Sequence, residues 1–142
     1  MKQNKKIRIA VIGAGWFGCH IGYKLSQNKF KVEIFEKEND IFRNASGNNT
    51  NRLHLGFHYP RSYTTRKMSF EGYKKFITQY PKLSKPLKNN IYVIAKSKLN
   101  KMSAKSYENS MSRSNLKFSN FNTKKTDLID IDKTFNTNER AI

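Results

Sequence analysis

The chain has 142 residues, room for one domain of ordinary size with a core, and a single cysteine, so no intramolecular disulfide can form and a reducing interior is expected. No apolar run reaches membrane-spanning length, and Met1 to Lys6 leads into a strand and not a signal-peptide pattern, so a cytoplasmic protein is expected. The net charge of +18 points towards polyanions, but the lysines are scattered among asparagines and serines without a basic tract or interleaved aromatics. Weak polyanion binding at low salt is expected; a specific nucleic-acid partner is not.

In chain order, Ile7 to Ile12 is apolar at nearly every position and predicts a buried parallel strand. Gly13, Gly15 and Gly18 follow as G-x-G-x-x-G, with Ala14, Trp16 and Phe17 between them. In that fingerprint the first glycine makes the tight turn, the second admits a pyrophosphate to the backbone, and the third lets the helix approach the sheet. The helix is expected to run to about Asn28, its start offering N–H groups and a positive dipole end to an anion. Ile21, Leu25 and Gly22 are expected to face the sheet. Trp16 and Phe17 would serve the ligand through their backbone and pack through their rings, and Cys19 reads as a small buried hydrophobe. A second strand, Lys31 to Phe35, ends at Glu36, where a carboxylate meets ribose hydroxyls. The whole predicts an ADP-binding βαβ unit. Glu36 repels a 2′-phosphate, which disfavours NADP, while NAD stays open from this motif alone.

The polar connection after Lys37 lacks a helical pattern, and long connections of this kind are often functional. Ser46 and Gly47 suit a turn near a phosphate, Arg43 and Arg52 can meet anionic oxygens, and His54, His58 and Tyr59 sit among apolar residues. Ser62 or Thr64 caps a predicted helix that runs to Tyr80, with Met68, Tyr73, Phe76, Ile77 and Tyr80 on one face and Pro81 ending it. Ile91 to Ala95 predicts a short strand. Lys96 to Lys125 reads as loose or irregular, and Asp127 to Ile142 as a strand or turn leading towards a helix that never arrives.

The segments GAGWFGCHIGYKL with IFEK, and ASGNNTNRLHLGFHYP, together resemble the FAD-dependent oxidoreductases of the D-amino-acid oxidase (DAO) type. In the glycerol-3-phosphate dehydrogenase version of the second segment, Ser46, Thr50, Leu53, His54, Gly56 and Tyr59 match, whereas Leu55 replaces a glycine and His58 an arginine. The resemblance implies an α/β fold: a Rossmann-like FAD/NAD(P)-binding βαβ unit, incomplete here, followed by the start of a mixed or antiparallel substrate domain. It divides the chain into residues 1–82, the N-terminal part of an FAD-binding domain, and 83–142, the start of the substrate domain.

Carried over by residue, Gly13, Ala14, Gly15, Trp16, Phe17 and Gly18 would face the pyrophosphate of noncovalent FAD. Glu36 would hold the ribose, Lys37 would lie near the adenine, Ser46 and Arg52 near the pyrophosphate or ribityl chain, and His54 closest to the flavin. No catalytic base or metal ligand is assigned; His58 and Tyr59 are candidates for the substrate side. The expected reaction is hydride transfer from an amine, amino acid or hydroxy acid to flavin in the complete enzyme, with a chain of this extent inactive by itself. Two alternatives stand beside it: a flavin enzyme resembling UDP-galactopyranose mutase, and a noncatalytic basic binding module.

Overall fold

The computed structural model describes residues 7–121 and 130–142. The chain is mixed α/β and divides into two compact units, Met1–Thr50 and Asn51–Ile142. Residues 122–129, which include parts of the irregular and C-terminal segments considered above, lie outside the described residues.

The first unit is β1 (Arg8–Ile12), α1 (Trp16–Gln27) and β2 (Lys31–Phe35). The strands pair in parallel from Arg8 opposite Lys31 to Ile12 opposite Phe35, so the right-handed crossover rule leaves α1 to cover one face. Gly22 is buried on that face; a Cβ there would lie 2.8 Å from Ile34 Cδ1. The expectation of a buried strand fails: Ile12 is 81% exposed and Ile7 64%. A helix on one side of two strands shields only one face, and the apolar residues of the other face remain in solvent. Ile21 and Phe17 are likewise exposed and not packed, because the short sheet gives α1 only a narrow contact centred on Gly22.

The second unit carries β3 (Arg52–Leu53), α2 (Tyr63–Gln79), β4 (Lys85–Pro86), β5 (Asn90–Ala95), α3 (Ala104–Ser112), β6 (Phe118–Asn120), β7 (Ile131–Thr137) and β8 (Arg140–Ala141). Two antiparallel sheets form, ordered β3-β8-β4 and β5-β7-β6. Ser62 caps α2 by accepting the Thr65 N–H through its side chain, as the sequence predicts. Of the expected α2 face, Met68 is exposed and Tyr73 reaches the core, joined by Phe70 from outside that face, which sets the buried stripe closer to Phe70.

The segment expected to be irregular contains α3, capped by Ser103 on the Ser106 N–H. Its Ala104, Tyr107 and Met111 recur at helical spacing and are buried. They join Leu55, Phe57, Leu116 and Phe135 in the core of this unit, with Phe135 at the centre of β7. The described residues of the C-terminal segment form two strands and no helix. Arg66, almost fully buried in α2, is satisfied by Ser114 Oγ and the carbonyls of Tyr59 and Pro60 at 2.7–2.9 Å, fixing the turn after β3 to both helices.

Phe135 is completely buried, so Phe135→Ala should cost about 3–5 kcal/mol, whereas Val93→Ala, on a half-exposed strand position, should cost less than about 1 kcal/mol. Urea unfolding followed by circular dichroism checks this; equal midpoints for the two variants would place the core elsewhere.

Candidate functional site

The first unit brings the glycine turn, the start of α1, Glu36 and Ser46 to one place. Gly13 has φ +96°, and its N–H donates to the Phe35 carbonyl at 2.7 Å, which locks the end of β1 beside the end of β2. A Cβ at position 18 would sit 1.9 Å from the Gly13 carbonyl oxygen, so only glycine lets α1 begin this close to the turn. Gly15 caps α1 without a side-chain bond, and no acidic residue occupies the first turn. The positive end of the helix dipole is thus uncompensated by the helix itself, the arrangement that favours a pyrophosphate.

Glu36 is clasped to this turn. Its Oε2 accepts the Ala14 N–H at 2.6 Å, and its Oε1 accepts the N–H groups of Lys37 at 2.9 Å and Glu38 at 3.1 Å. The Ala14 N–H above all, then that of Glu38, holds the carboxyl below its ordinary titration range. A carboxylate offers about four lone-pair positions, so three such bonds leave one for a ligand hydroxyl. Ser46 Oγ accepts the Trp16 N–H at 2.9 Å and would lie 3.2 Å from a Cβ at position 15. The N–H groups of Ala14 and Trp16 are therefore spent within the protein, which leaves Gly15, Phe17 and Gly18 to meet an anion. Trp16 stacks near Phe42, with ring centroids 6.3 Å apart, and Cys19 is a free thiol whose Sγ lies 3.4 Å from the Ala14 carbonyl. Lys37 is exposed beside Glu38.

Arg52 and His54 belong to the second unit. Arg52 begins β3 and is exposed. His54 follows β3 directly, with Nδ1 3.3 Å from Oε2 of Glu139, a carboxylate only 1% exposed. The His54 and His58 rings lie 4.2 Å apart, and His58 meets Tyr92 edge-on at 5.2 Å. His58 is exposed overall, and partial desolvation of its ring, followed by the neighbouring His54, pushes its pKa down against the opposing pull of Glu139. His58 and Tyr92 also line a cavity of about 480 Å³, with Phe57, Tyr107, Arg61 and Lys101. Tyr59 is exposed. Glu139 escapes sequence reading because it stands among polar residues 85 positions from His54; nothing local marks it as buried. Among the described residues, no cluster of three histidine, cysteine or acidic side chains could hold a metal ion, and no helix is long and apolar enough to cross a membrane.

The turn with its open dipole end, the glycine that a Cβ would displace, and the carboxylate with one position spare fit the ADP half of a dinucleotide. The sequence profile of the FAD dependent oxidoreductase family (DAO) matches residues 8–117. The chain is 44% identical over 86 residues to the FAD-dependent monooxygenase FPY4 of Fusarium mangiferae, covering 61% of this chain and 23% of that protein. It is 42% identical over 83 residues to the FAD-dependent monooxygenase kojA of Aspergillus flavus, covering 58% and 19%. It is 31% identical over 72 residues to the L-2-hydroxyglutarate dehydrogenase of Indibacter alkaliphilus, covering 49% and 18%. The chain thus spans about a fifth of the length of these relatives. On the profile match, which takes in the βαβ unit together with the segment through His54 to α3, the chain belongs to the FAD dependent oxidoreductase family, with FAD as its cofactor.

Proposed function

We propose that residues 1–82 form the N-terminal part of the FAD-binding portion of an oxidoreductase that takes hydride from an amine, amino acid or hydroxy acid, and that residues 83–142 begin its substrate domain. The compact units part at Thr50, but the proposed functional boundary falls later, because the segment through His54 to α2 is counted with the cofactor. The observation that carries the reading is the clasp between Glu36 and Ala14, which holds the ribose acceptor against the phosphate turn.

In this reading the backbone of Gly15, Phe17 and Gly18 takes the pyrophosphate, while Gly13, Ala14 and Trp16 shape the turn. Glu36 accepts a ribose hydroxyl through its spare lone pair, and Lys37 lies on the adenine side. Ser46 and Arg52 serve the pyrophosphate or ribityl chain, and His54 stands nearest the flavin. Bound FAD supplies the two-electron acceptor. The relatives are named as two FAD-dependent monooxygenases and a dehydrogenase. The cavity beside His58 is lined by Arg61 and Lys101 and, among the described residues, by no carboxylate. That balance favours a substrate carboxylate, and so an amino acid or hydroxy acid over a simple amine.

The purified chain should retain flavin absorbance after incubation with FAD and desalting. Gly15→Val, whose side chain would press on Ser46, and Glu36→Ala, which removes the ribose acceptor, should each lower FAD affinity roughly 10-fold or more. Undiminished flavin in both variants would remove these contacts from the site.

Glu36 also sets a pH dependence. A carboxyl whose native pKa lies below its unfolded one adds stability that is fully present above the ordinary value of 4.5 and is lost as the pH falls through the native value. The Ala14 amide proton, followed by NMR, should therefore titrate with a midpoint below 4.5. A midpoint at or above 4.5 would detach Glu36 from the turn.

A further inference from the structure

Glu139 has no task in the cofactor contacts, yet it is the most heavily bonded carboxylate among the described residues. It lies between β7 and β8 and is 1% exposed. Its Oε1 accepts the Leu55 N–H at 2.8 Å. Its Oε2 accepts the Tyr92 hydroxyl at 2.8 Å and the Asn90 amide at 3.3 Å, and faces His54 Nδ1 at 3.3 Å. An amide N–H and a side-chain NH2 can only donate. The Tyr92 phenol also keeps its proton, since burial first and the Glu139 charge second push its pKa up. With three donors already directed at it, the carboxylate acts as an acceptor, and the ring nitrogen it faces must carry a hydrogen.

We infer that Glu139 is the positioning residue of His54: it fixes a hydrogen on Nδ1, so that the ring, when neutral, offers Nε2 as a proton acceptor. Asn90 and Tyr92 hold the carboxylate in place, and the Leu55 N–H, next in the chain to His54, ties the same carboxylate to the backbone that carries the ring. The functional consequence rests on the reading that His54 stands nearest the flavin. Any proton His54 handles there in its neutral state is received at Nε2, not donated from it.

The test is a long-range 1H–15N NMR spectrum of the full chain labelled with 15N-histidine, taken well above the ordinary histidine pKa of about 6.5. The sequence has 3 histidines, so His54→Gln assigns the signal. The wild-type ring should appear as a single Nδ1–H tautomer. In Glu139→Ala, which removes the acceptor facing Nδ1, His54 is expected to shift towards the Nε2–H form that an unconstrained histidine side chain prefers; an unchanged Nδ1–H signal there overturns the role of Glu139. Tyr92→Phe, which keeps the carboxylate, should keep Nδ1–H. Should Glu139→Ala not fold, the wild-type spectrum decides alone, and hydrogen on Nε2 in the wild type overturns the assignment. Flavin retention is read separately by absorbance. Nδ1–H without flavin uptake counts against the cofactor contacts alone, and flavin uptake with Nε2–H counts against Glu139 alone.

Discussion

A buried carboxylate must be fully satisfied by donors, and in the second unit that requirement decides how distant segments meet. Glu139 sits where the chain passes from β7 in one sheet to β8 in the other. Leu55 just past β3, Asn90 and Tyr92 on β5, and the His54 ring all direct polar hydrogens at its two oxygens. Loss of any one of them would leave a buried polar group unpaired, so the positions of β3, β5 and the β7-to-β8 link are mutually fixed. Around this polar centre the apolar core of Phe57, Tyr107, Met111 and Phe135 supplies most of the burial.

Glu36 and Glu139 show how one side chain serves two ends according to how far its surroundings enclose it. Around Glu36 three backbone N–H groups take three positions, and the carboxylate stands at the rim of a turn, half open to solvent, with one lone-pair position left over. Around Glu139 one group meets Oε1, three converge on Oε2 and solvent is excluded, so the carboxylate orients its neighbours.

The glycine turn obeys a steric logic of equal force. The backbone at Gly13 turns with a positive φ while the Phe35 carbonyl takes its N–H, and the oxygen of Gly13 then occupies the space a side chain at position 18 would need. The start of α1 is brought against the turn by backbone alone, which is why bulky rings are tolerated within the fingerprint: Phe17 is exposed and Trp16 stacks near Phe42.

The sequence by itself determined the βαβ unit, the ends of α1 and α2, a cap of α2 at Ser62 or Thr64, and the strand at β5, because each rests on a local signal: glycine spacing, a serine before a periodic stretch, a short apolar run. It also placed the turn residues beside Glu36, since motif spacing encodes their proximity. Tertiary structure decided the rest. The solvent exposure of Ile12 followed from how few strands surround β1, and α3 took shape where only Tyr107 and Met111 had large side chains to bury against Phe135. The partnership of His54 with Glu139 joins residues 85 positions apart through a polar contact, and neither periodicity nor spacing records a meeting that packing alone brings about.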